Sequence, residues 1–151
     1  MKINLKDIEK EKYIPEKYTC DGDNIIPELE IFDIPEETKS LALVMDDPDA
    51  KSVIGRTFDH WIIWNIPPET KKISSDSFPF SGSVEGKNDF GKTGYGGPCP
   101  PKGHGQHKYI FKLYALDTTL DLPKGSTKTE LEEAIKKHII EKTETSGVYE
   151  R

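Results

Sequence analysis

Asp46, Asp47 and Asp49 put three carboxylates within four residues, and His60 and His107 each head an apolar run. A carboxylate beside an imidazole raises its pKa, so Asp47 brought between the two histidines would give a cluster that can turn cationic and hold an anion. The plainer reading of the aspartates is a turn at a strand end, which Asp and Pro both favour. Three other patterns offer competing chemistry. Gly86–Thr93 spells G-x-x-x-x-G-K-T, the phosphate loop of NTPases, which needs a buried strand before it and a helix starting at the Lys-Thr. The stretch that follows, Gly-Tyr-Gly-Gly-Pro-Cys-Pro-Pro, cannot make that helix, so an NTPase is rejected. Cys99, His104 and His107 have the spacing C-x4-H-x2-H, which suggests zinc, but a fourth ligand such as His60 or Asp47 must then come from folding. Cys99 with His107 as base would be a nucleophile, yet a cysteine between Pro98 and Pro100 has no helix N-terminus to lower its pKa.

The elements that must position these residues are mostly strands. Leu29–Phe32 is a short β-prone run, and Ser40–Met45 is a continuous apolar run short enough for a buried strand. His60–Ile66 is aromatic and β-branched and stops at Pro67-Pro68, and His107–Leu116 alternates for most of its length. Strict period two places His60 with Ile62 and Trp64, opposite Trp61, Ile63 and Asn65. It places His107 with Tyr109, Phe111 and Leu113. One helix is expected from Leu131, Ala134, Ile135, His138 and Ile139, opened by a capping box at Thr127 and Glu130. Gly147–Arg151 is a candidate last strand. Without strand–helix alternation, an antiparallel β architecture with a peripheral helix is favoured.

Composition narrows the function classes. The 151 residues fit one domain, residues 1–151, with 34% hydrophobic and 9% aromatic residues gathered in dense runs. A formal charge of −6 argues against a nucleic-acid binder, so any anion site must be local. No signal peptide and no membrane-spanning run is visible, so a cytoplasmic protein is expected. For Cys20 and Cys99 the default in a reducing cytosol is two thiols, and a disulfide is the alternative.

Three segments together resemble a known family. They are Asp47–Ala50, His60-Trp-Ile-Ile-Trp-Asn-Ile-Pro67, and the long stretch from Gly94 through Pro98-Cys99-Pro100-Pro101 and His107-Lys-Tyr109 to Leu116. They resemble the signature segments of the phosphatidylethanolamine-binding protein family, also called the Raf kinase inhibitor protein family. Tyr18–Pro27 and the ending Gly147–Arg151 are similar to its bacterial and archaeal branch. The resemblance implies a mainly β fold of two antiparallel sheets with one or two peripheral helices and a small ligand cavity at one end. By motif match Asp47 is the pocket aspartate, His60 and His107 the pocket histidines, and Tyr109 the pocket tyrosine. Pro98, Cys99, Pro100 and Pro101 match the loop whose backbone lines the cavity, with the Cys99 amide a donor to an anion, and Asp49 is expected to orient backbone. Lys51 departs from the family's usual proline, which alters the rim. Eukaryotic members carry a long C-terminal helix near the pocket that this sequence does not supply, and that implies a more open mouth. The function implied is non-catalytic binding of a small anion, phosphate-like or a phosphorylated headgroup, without metal or cofactor. The alternative is inhibition of a partner protease or kinase through the Ser81–Gly105 loop, and relatives of this branch suggest a homodimer.

Overall fold

Ser40–Asp47, which contains the apolar run expected to be a buried strand, is the middle strand of the larger of two antiparallel sheets, and all eight residues are buried. The structure is a computed structural model and describes residues 1–6 and 8–151. Its strands are β1 (Lys2–Leu5), β2 (Leu29–Phe32), β3 (Ser40–Asp47), β4 (Phe58–Ile66), β5 (Lys72–Ile73), β6 (Val84–Glu85), β7 (His107–Leu116) and β8 (Ile139–Tyr149). Two short helices, α1 (Lys51–Ile54) and α2 (Lys128–Ile135), and two 3-10 turns, Glu16–Tyr18 and Pro48–Ala50, complete it. One sheet has the order β1-β2-β5 and the other β6-β4-β3-β7-β8. This is the mainly β, two-sheet antiparallel architecture the sequence implied.

An unbroken apolar strand needs cover on both faces, and β3 has it. Leu41, Leu43 and Met45 pack with Ile3, Leu5, Leu29 and Ile31 of the small sheet. Ala42 and Val44 face the other way, onto Leu131 and Ile135 of α2. Each large side chain so buried contributes about 1.5–3 kcal/mol. Trp64 belongs to the helix-side core and is 0% exposed.

Strand β4 carries two irregularities that the alternation reading did not contain. Leu41 pairs with Ile66 but Leu43 with Ile63, so one residue is extra, and Asn65 takes φ 55° there. Asn tolerates that left-handed conformation, and its amide is held by the backbone N and O of Leu120. Lower down, Met45 pairs with Trp61 but Asp46 with Asp59, so His60 is the extra residue of a β-bulge. The bulge corrects the expected face of His60. Its ring lies 4.9 Å from Phe58 and 5.2 Å from Tyr109, on the Trp61 side of the sheet and not with Ile62 and Trp64.

Helix α2 begins with the expected capping box between Thr127 and Glu130 and buries Leu131 and Ile135. It ends at Ile135, so His138 and Ile139 do not extend its face. Ile139 instead opens the eleven-residue β8, which pairs with β7 from Leu116↔Ile139 to His107↔Tyr149. Ten ladder pairs outweigh the weak helical preference of the Lys136–His138 turn. Gly147–Tyr149 is only the end of that strand. The two cysteines are joined as Cys20–Cys99, with Cα atoms 5.4 Å apart, so the two-thiol default does not hold. The Cys20 amide donates to the Pro98 carbonyl at 3.1 Å, which brings the two loops within bonding reach.

Candidate functional site

Because β3 lies between β4 and β7, one end of it collects three of the chemistry-bearing residues. Asp47, its last residue, is 3% exposed. One carboxylate oxygen, Oδ1, accepts from the amides of Asp49 (2.9 Å) and Ala50 (3.2 Å), which fixes the Pro48–Ala50 turn. The other, Oδ2, accepts from His107 Nδ1 at 2.6 Å. Asp49 ties the same turn to β7, its Oδ2 accepting from the Lys108 amide at 2.7 Å. Asp49 therefore orients backbone, as expected.

His60 is 3% exposed and donates Nδ1–H to the Gly96 carbonyl at 2.7 Å, while Gly96 N returns a bond to His60 O. A carbonyl only accepts, so the hydrogen sits on Nδ1 and Nε2 carries a lone pair. Burial pushes the His60 pKa below the usual histidine value, opposed by the Gly96 carbonyl and the Asp47 charge. Tyr109 is 0% exposed, and its hydroxyl has no hydrogen bond of acceptable geometry among the described residues. Burial, then the charges of Asp47 and Asp49, push its pKa far up, so it stays a donor.

These side chains open on a cavity of about 190 Å³. Asp47, His60, His107, Tyr109, Cys99, Pro100 and Pro101 all line it; Pro98 and Asp49 do not. Pro98 turns its carbonyl to Cys20 instead. No acceptor among the described residues takes the Cys99 amide hydrogen. The loop can reach the site because Gly97 passes so close to Tyr18 and Asn24 that a Cβ would run into the Tyr18 carbonyl. A larger, open hollow of about 690 Å³ between β1 and β8 has mixed lysines and glutamates around it and no histidine. Both buried histidines, Asp47 and Tyr109 are on the smaller one.

Sequence reasoning missed two features here. His104 Nδ1 lies 2.8 Å from His107 Nε2, giving a line Asp47–His107–His104; its only signal was the abandoned zinc spacing. The mouth is apolar, with Val53 44%, Ile54 47% and Phe90 44% exposed beside the buried Ala50. Phe90 sits inside the phosphate-loop look-alike. There Asn88 Oδ1 accepts from the amides of Phe90 and Lys92, and no helix follows. With its sulfur bonded to Cys20, Cys99 has no thiolate to offer as zinc ligand or nucleophile.

A family model, phosphatidylethanolamine-binding protein, matches residues 4–150. The chain belongs to the phosphatidylethanolamine-binding protein family. A UPF0098 protein of Pyrococcus abyssi is 51% identical over 148 residues, covering 93% of this chain and 80% of that protein. The crystal structure of a phosphatidylethanolamine-binding protein homologue from Chlamydia trachomatis superposes with TM-score 0.92 at 38% identity, covering 99% of this chain and 97% of that one. A carboxypeptidase Y inhibitor, solved in complex with its cognate proteinase, shares the fold at TM-score 0.60 and 20% identity, covering 93% of this chain and 76% of that one. No helix among the described residues is long and apolar enough to cross a membrane.

Proposed function

We propose that this member of the phosphatidylethanolamine-binding protein family is a non-catalytic binding protein whose cavity takes a small oxyanion, phosphate-like or the phosphorylated end of a larger ligand. The observation that carries the reading is the convergence of the Asp47–His107 pair, His60 and the Tyr109 hydroxyl on one small hollow. At about 190 Å³ the hollow is smaller than the roughly 300–1,000 Å³ of sites for drug-sized ligands, so it suits a headgroup and not an acyl chain. The apolar mouth at Val53, Ile54 and Phe90 would then meet whatever the anion is attached to. Neither the sulfur of Cys99, which is in the disulfide, nor the Tyr109 hydroxyl, kept protonated by its raised pKa, is available as a nucleophile.

A cytoplasmic location agrees with the Cys20–Cys99 bond where intracellular proteins carry disulfides, as in hyperthermophiles. Titration with phosphoethanolamine or inorganic phosphate near pH 6, followed by the histidine ring signals in NMR, should give saturable shifts at His60 and His107. The His107→Ala protein should lose them. No shift at millimolar ligand would overturn the reading.

One observation favours a second reading, inhibition of a partner protease or kinase. Phe90 is exposed on a turn held by Asn88, within the Ser81–Gly105 loop that the disulfide anchors, and such a fixed apolar tip suits an enzyme cleft. Inhibition that survives His60→Ala and His107→Ala but fails in Phe90→Ala would select it.

A further inference from the structure

The hydrogen-bond partners around the cavity decide what kind of anion it can take. His60 Nδ1 faces the Gly96 carbonyl and His107 Nδ1 faces the Asp47 carboxylate, and neither partner can donate. Both rings therefore keep a hydrogen on Nδ1. In its neutral form each has a lone pair at Nε2. The His60 lone pair has no partner among the described residues, and His107 Nε2 meets only the exposed His104, whose Nδ1 is 2.8 Å away.

The pocket is thus rich in acceptors, with the Asp47 charge directly behind His107. Its donors are the Cys99 amide and the Tyr109 hydroxyl, which also lies against the Asp47 carboxylate. An anion oxygen placed against an imidazole lone pair is repelled unless a hydrogen lies between them. The same two histidines that mark the site as an anion pocket would reject a bare anion.

We infer that an oxyanion occupies this pocket together with one proton, shared between the anion and the Nε2 atom of His107 or His60. The ligand class that follows is an oxyanion able to bring a hydrogen of its own, such as a monoprotonated phosphomonoester. A fully ionised anion binds only by drawing a proton from solvent. This rests on the anion-pocket reading of the same site.

His107 is the better seat for a proton taken from solvent, because the Asp47 carboxylate is 2.6 Å from its Nδ1. Asp49 adds a second negative charge in the adjoining turn. The other groups near His107 are His60 and Tyr109 across the hollow, His104 at its outer nitrogen, and Tyr149, its pairing partner on β8. Among the described residues no lysine or arginine forms an ion pair with it. His104 withdraws from Nε2 when the anion arrives, which its exposed position allows.

Sulfate, which has no proton of its own to bring, isolates the proton taken from solvent. It does not titrate between pH 5 and 8.5, so its affinity should fall as pH rises, by up to about tenfold per pH unit. Phosphoethanolamine carries its own proton below its second pKa of about 6, so its affinity should also fall above that value, by up to about tenfold per unit. Calorimetry at pH 7.5 in two buffers of different protonation enthalpy should report uptake of about one proton per bound sulfate. In His107→Gln, whose amide donates without ionising, sulfate binding should lose that slope. Sulfate binding with intact affinity but no pH slope and no buffer dependence would overturn the inference. So would an unchanged slope in both His107→Gln and His60→Gln. Failure of either anion to bind at any pH would instead overturn the anion pocket itself.

Discussion

At the scale of single residues the site is built from groups whose partners dictate their protonation. His60 makes this testable through stability. Its folded pKa is lowered, first by burial, while in the unfolded chain it returns to about 6.5. The unfolded state therefore binds the proton first as pH falls, and by linkage folding loses stability below about pH 6.5 until the folded pKa is passed. Above that pH the residue contributes no slope. Chemical denaturation at pH 7.5, 6.5 and 5.5 should show a decline in the wild type that His60→Gln reduces; an equal decline in both would assign it to other groups. Asp47 and His107 stood out by residue type and position, and Tyr109 by its match to the family's motif; the alternation of β7 and the end of β3 bring all three to the same cavity. His60 was found as a residue but placed on the wrong face, since an inserted bulge residue leaves no mark in composition. His104 was seen in the zinc spacing, but its place beside His107 depends on how the loop returns to β7.

At the scale of elements the bulge has an anchor on the opposite face of the sheet. Asp46 and Asp59, neighbours of Asp47 and His60, point away from the cavity and meet Lys128 at the start of α2. Lys128 Nζ is 2.6 Å from Asp59 and 3.2 Å from Asp46, and Lys112 adds a third contact at 2.8 Å to Asp46. Burial raises the pKa of Asp59, and the two carboxylates hold that of Lys128 up despite its own burial. A helix terminus is thereby clamped to the paired residues that flank the bulge. Lys128→Met would leave the half-buried Asp59 without its cation, so a loss of about 1–3 kcal/mol in denaturant titration is expected, less than for a fully buried pair. A loss below about 1 kcal/mol would show the cluster to be a solvated pair of no structural weight. The apolar strands β2, β3, β4 and β7 were readable because each buries a face or two. Strand β8 was not, because Glu141, Lys142, Thr143 and Glu144 carry polar groups on both faces of an outer strand. Only its ladder with β7 makes it a strand.

At the scale of the molecule, one covalent bond holds the cavity's outer wall. Cys20 and Cys99 are 79 residues apart, and between them lie β2 to β6, so the bond closes a loop over more than half the chain. Sequence spacing alone does not select that pairing; the fold does, by laying the 3-10 turn at Glu16–Tyr18 against the loop that begins at Gly94. Closing a loop of that length lowers the entropy of the unfolded chain by about 4–5 kcal/mol in the chain-entropy account, within a usual range of about 2–5. For a domain of this size that corresponds to a fall in Tm on the order of 10 °C on reduction. Cys99 also lines the cavity, so the effect should reach the site. Treatment with a dithiol, or the paired Cys20→Ser and Cys99→Ser variant, should lower Tm by that amount. It should also weaken anion binding more than it disturbs the strands, because the tyrosine, histidine and aspartate stand on β3, β4 and β7 while the loop wall depends on the bond. Far-ultraviolet circular dichroism and the histidine titration on the same reduced sample separate the two effects. A reduced protein with unchanged Tm and unchanged anion affinity would mean that the Cys20–Pro98 hydrogen bond and the fit of Gly97 against Tyr18 already hold the loop without the sulfur bridge.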